Sequence, residues 1–108
     1  MPSLGIVTVT THGTPVALAS VETRCSQYFV QPRVTLGASG TPPTGNGGTI
    51  YILDTNTAKT ATGAHVLMAL DPGADTYASP ASAKNGYDLS KIYMDSDTDL
   101  DGALISYV

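Results

Sequence analysis

The chain predicts an all-β protein: a small single-domain β-sandwich or barrel, jelly-roll order among the topologies it admits, with long Gly/Pro/Thr-rich loops. Three observations point there. Apolar and polar residues alternate in several short runs, which is the period of a strand and not of a helix. Turn dipeptides such as Asn-Gly, Pro-Gly and Asp-Gly stand between those runs. Charge is thin: Asp, Glu, Lys and Arg make up 13% of the 108 residues, against ~25% in ordinary soluble domains. Thr, Ser, Gly, Ala and Pro fill the space, a composition suited to sheet surfaces and turns.

The elements follow in order. Leu4 to Thr10 alternates Leu4, Ile6 and Thr8 on one face with Val7 and Val9 on the other, which suits a strand covered on both sides or lying at a subunit contact. Thr11-His12-Gly13 makes a turn, and Pro15 to Ser20 returns as a second short strand. Thr23 to Leu36 is the longest β segment, interrupted at Pro32, which cannot donate to a ladder. Residues 37–48, with five glycines and Pro42-Pro43, read as a flexible loop. An uncharged loop of small residues is suited to lying on another protein, and equally to being a tolerated excursion.

Thr49 to Asp54 is a clear strand, with Ile50 and Ile52 opposite Tyr51 and Leu53. Ala64 to Leu70 is read as a strand ended by Asp71-Pro72-Gly73, although its residues also suit a helix too short to stand alone. Asp75 to Gly86 is a second loop. Residues 87–108 are expected to close the chain as a β-hairpin, Leu89–Met94 against Ala103–Tyr107 across Asp101-Gly102. The result is one domain over 1–108, with 1–13 as an N-terminal arm.

One segment could carry chemistry. Asp97 to Gly102 matches the opening of an EF-hand loop, but position twelve would be Val108 and the flanks read as strands, so that site is rejected. Asp95, Asp97, Asp99 and Asp101 remain a candidate calcium set if the loop bends them together. The competing and preferred reading is a solvated acidic turn that keeps the edge from pairing with other strands.

Other functions are excluded by what the sequence lacks. Phosphate loops, dinucleotide fingerprints, nucleophile elbows and zinc-spaced Cys/His sets are absent, so no cofactor is expected. Five scattered basic residues and a net charge of −4 argue against nucleic acid and against an anionic membrane surface. No apolar run approaches the ~20 residues that span a bilayer. The stretch before Gly13 lacks the basic start of a signal peptide. Cys25 is alone and reads as a small buried hydrophobe, with neither His12 nor His65 near it in sequence. Six tyrosines with one Phe and no Trp suit interfaces as well as a small core.

From about Cys25 onward the chain resembles small virion proteins of tailed bacteriophages. The resemblance is carried by GNGGTIYILD (Gly45 to Asp54), DPGADTYASP (Asp71 to Pro80) and YDLSKIYMDSDTDLDGALISYV (Tyr87 to Val108). It implies a non-enzymatic β-module of the cement, decoration or head-fibre type, made in the host cytoplasm and carried on the phage head. The implied partner is the major capsid protein, and the implied assembly is a homotrimer. On that reading Leu4, Ile6, Val7 and Val9, with Thr41, Pro42, Pro43 and Asn46, are the capsid or subunit contacts, and Tyr93, Leu104 and Tyr107 form the core or trimer seam. The competing expectations are a head–tail connector, tail or fibre-base component, and a module binding carbohydrate or another ligand in a cleft of tyrosines and the acidic loop.

Overall fold

The computed structural model describes residues 2–35, 44–82, 84 and 86–108. The described residues form two four-stranded antiparallel sheets around one core, as in a small β-sandwich. In chain order the strands are β1 (Ser3–Val9), β2 (Val16–Ala17), β3 (Arg24–Cys25), β4 (Tyr28–Pro32), β5 (Val34–Thr35) and β6 (Thr44–Gly45). They continue as β7 (Ile50–Leu53), β8 (Val66–Leu70), β9 (Tyr77–Ala78), β10 (Tyr87–Asp88), β11 (Tyr93–Ser96) and β12 (Asp101–Tyr107). The first sheet runs β1-β12-β4-β9 and the second β2-β11-β7-β8, with β3–β10 and β5–β6 as two small ribbons.

Alternation decides which side chains go inside. Ala103 and Ile105 of β12, Tyr28 and Val30 of β4, Ile50 and Ile52 of β7 and Met94 of β11 are buried in one cluster with Val9, Leu18, Leu89 and Ile92. Each such aliphatic side chain contributes roughly 1.5–3 kcal/mol by leaving water. Tyr28 sits at one end of the cluster, its ring edge-on to Tyr87 at 5.1 Å and to Tyr77 at 6.2 Å. Burial pushes its hydroxyl far above the ordinary tyrosine range.

β1 is not a free arm: it pairs along its length with β12 as the edge strand of the first sheet. Its faces differ from simple alternation. Ser3 pairs with Ser106 and Gly5 with Ile105, so Leu4 is an extra residue in a bulge. Gly5 takes φ +74° there, a conformation that costs glycine little. The bulge puts Leu4 on the same side as Val7 and Val9, against the core, and leaves Ile6 51% exposed.

The C-terminal segment is not a hairpin. β11 belongs to the second sheet and β12 to the first, and they pair with different partners. Residues 97–100 therefore form an arch between sheets, and Asp101 and Gly102 lie inside β12, opposite Val9 and Thr8. Leu89–Lys91, expected as strand, is a 3-10 turn. Asp88 caps it by accepting from the Ser90 amide at 3.0 Å, satisfying an otherwise orphaned donor. β4 ends at Pro32, the break that proline imposes.

Candidate functional site

The acidic segment is a structural junction, and its four carboxylates do not converge. Asp95 is fully buried; its Oδ1 accepts from the amides of Gly13 (2.8 Å) and Ser96 (2.8 Å), and its Oδ2 from that of Lys59 (3.0 Å). Asp97 accepts from the Tyr51 hydroxyl at 2.9 Å and lies 3.4 Å from Lys59 Nζ. That ammonium also donates to the Ser96 carbonyl and sits over the Tyr51 ring. Asp99 accepts from the His12 amide and contacts His12 Nδ1 at 2.6 Å. Asp101 accepts from the Gly47 and Gly48 amides at 2.8 and 2.9 Å.

Together the carboxylates tie the His12–Gly13 turn, Lys59, Tyr51 and Gly47-Gly48 to the arch. Among the described residues no three His, Cys, Asp or Glu side chains are grouped to hold a metal. The calcium reading is corrected on those grounds: the oxygens of Asp95, Asp99 and Asp101 accept from backbone amides, and those of Asp97 meet the Tyr51 hydroxyl and the Lys59 ammonium.

Asn46, expected as a capsid contact, is 6% exposed and works inside the molecule. Its Nδ2 donates to the Gly102 carbonyl and its Oδ1 accepts from the Gly102 amide, both at 2.9 Å. The side-chain amide imitates a strand backbone, pairing both groups of one residue of β12. Gly102 itself admits no larger residue, because a Cβ there would overlap the Val7 carbonyl. Gly48 is nearly as tight: a Cβ would lie 2.7 Å from Thr98 Oγ1 and 3.0 Å from Asp97 Cβ. Thr41, Pro42 and Pro43 lie outside the described residues.

Of the remaining expected contacts, Leu4 and Val7 pack on the core and Val9 is wholly buried, so these three are core residues. Tyr107 packs partly buried against the core, and Tyr93 is half-buried in β11. Leu104 faces outward, 36% exposed, directly across from Ile6. This pair borders a hollow of about 130 Å³ completed by Gln31, Pro32 and Arg33. The outer face of the first sheet therefore carries an apolar strip beside β1, the edge strand among the described residues.

A larger cleft, about 570 Å³, lies between the β3–β10 ribbon and the end of β7 and β8. Tyr87, Asp88, Leu67, Arg24 and Lys91 are among its lining residues, whereas the acidic arch is not. The expected cleft of tyrosines and acidic loop is thus not this one. Sequence reading missed it because its walls come from four separate segments.

Cys25 is the small buried side chain that the sequence predicts. It is 1% exposed and burial pushes its thiol up, which disfavours the reactive thiolate. His12 contacts Asp99, and His65 contacts Asp54 at 2.8 Å. No helix among the described residues is long and apolar enough to cross a membrane. Comparison with protein-family models, characterised proteins and solved structures finds no match for this chain.

Proposed function

We propose that the chain is a non-enzymatic structural protein of a tailed-phage virion, a cement or decoration protein that bridges major capsid subunits. The observation that carries this reading is the exposed Ile6–Leu104 pair on the outer face of the first sheet, beside the edge of β1 that pairs with no strand among the described residues. An open strand edge offers a row of amides and carbonyls to a neighbouring chain. Ser3–Val9 contains no charged residue to oppose such an approach.

The active contacts on this reading are Ile6 and Leu104 with Gln31 and Arg33, over the buried Pro32, in place of the wider set expected from sequence. A homotrimer suits the role: three copies around a local threefold axis multiply weak contacts through effective concentration. The test is add-back of purified protein to heads stripped of it. Wild type is expected to rebind, and the Ile6→Asp/Leu104→Asp variant to lose binding while keeping its melting temperature. Equal binding by the two proteins would sink the proposed surface.

A further inference from the structure

The 570 Å³ cleft falls within the ~300–1,000 Å³ typical of small-molecule sites, and its construction is specific. On β8 the register jumps from Met68, opposite Ile52, to Val66, opposite Leu53, so Leu67 is the extra residue of a bulge. Bulges re-aim side chains, and here Leu67 becomes a cleft wall while remaining 37% exposed. Ile92, almost fully buried, adds a second apolar surface.

The polar groups of the cleft are mixed in sign. Arg24 lies 3.4 Å from Glu22, and Asp54 is paired with His65. Asp88 and Lys91 are different. The bonds from the Thr23 amide and from the Ser90 amide and hydroxyl all fall on Asp88 Oδ1, leaving Oδ2 outside that cap. Lys91 makes no salt bridge among the described residues. An acceptor and a donor three residues apart thus stand beside an apolar wall.

We propose that this cleft binds a short neutral oligosaccharide, a property separate from any assembly role. A hydroxyl both donates and accepts, so neighbouring sugar hydroxyls satisfy the Asp88 carboxylate and the Lys91 ammonium together, and the C–H face of the ring covers Leu67. A polyanion would meet three carboxylates, Glu22, Asp54 and Asp88. A purely apolar ligand would cover Asp88 Oδ2 and the Lys91 ammonium without giving either a partner, which is costly.

The experiment is amide chemical-shift titration of the full chain with maltotriose, cellotriose and chitotriose, and with a neutral-capped lysine-containing tetrapeptide. At least one saccharide is expected to give saturable shifts at Leu67, Gly86, Tyr87 and Lys91. Leu67→Ala and Lys91→Ala, both at exposed positions, are expected to weaken it at least tenfold with melting temperature unchanged. The proposal is overturned if no saccharide shifts those amides saturably, if only the peptide does, or if both variants bind as wild type does.

Discussion

Asn46 illustrates how much one side chain can hold. Its amide satisfies both backbone groups of Gly102 in a buried setting. Replacement by Ala leaves the buried Gly102 amide without its acceptor, at ~1–3 kcal/mol for an unsatisfied group, while the Gly102 carbonyl still accepts from the Arg33 amide. Urea unfolding of Asn46→Ala is expected to show a loss of about 1–3 kcal/mol. Asn46→Asp is expected to be no better, because one carboxylate oxygen would face the Gly102 carbonyl; wild-type stability in either variant would contradict the pairing. Asp99 gives a pH signature. Hydrogen bonds from the His12 amide and then its ring hold the Asp99 carboxyl below the usual carboxylate range. A depressed folded-state value stabilises above the unfolded value of ~3.9 and is lost as pH falls through the folded one. Melting temperature is therefore expected to fall less steeply below about pH 4 in Asp99→Asn than in wild type.

At the scale of elements, the arch makes a prediction that a hairpin would not. Gly102 N–H is bonded to Asn46 and the Gly47 and Gly48 amides to Asp101. Hydrogen exchange is expected to be slow at these three amides. In a hairpin with its turn at Asp101-Gly102, the Gly102 amide would exchange rapidly. The contrast also shows what the sequence could and could not convey. β1 and β7 are legible because alternation is a local property of a strand, whereas β8, whose residues also suit a helix, is legible only from the strands around it. The hairpin was misread because Asp-Gly is a local signal, and a distant residue, Asn46, decided the outcome by pairing with Gly102. The same distance hid the site: Asn46-Gly47-Gly48 looks like loop, yet it holds Asp101 and Gly102 in place. The 3-10 turn did leave a trace, since Asp88-Leu89-Ser90 contains the short acceptor and nearby amide that make such a cap. The β1 bulge left only Gly5, and its register became visible only against β12.

The whole molecule is an all-β unit whose two sheets share one core, with its acidic residues turned largely to internal ties. Core and surface should therefore separate cleanly under mutation. Ile105→Ala, at a fully buried central position, is expected to cost ~2–5 kcal/mol. Ile6→Asp and Leu104→Asp on the outer face are expected to stay within about 0.5 kcal/mol of wild type, measured by urea unfolding, while abolishing assembly. A stability loss as large as that of Ile105→Ala would place those residues in the core instead. The proposed place of this protein on the phage head fixes a copy number that can be counted. Quantitative mass spectrometry of gradient-purified virions, scaled to the major capsid subunit, is predicted to give one copy per subunit or a simple fraction such as a third. About a dozen copies per particle, or none, would contradict it.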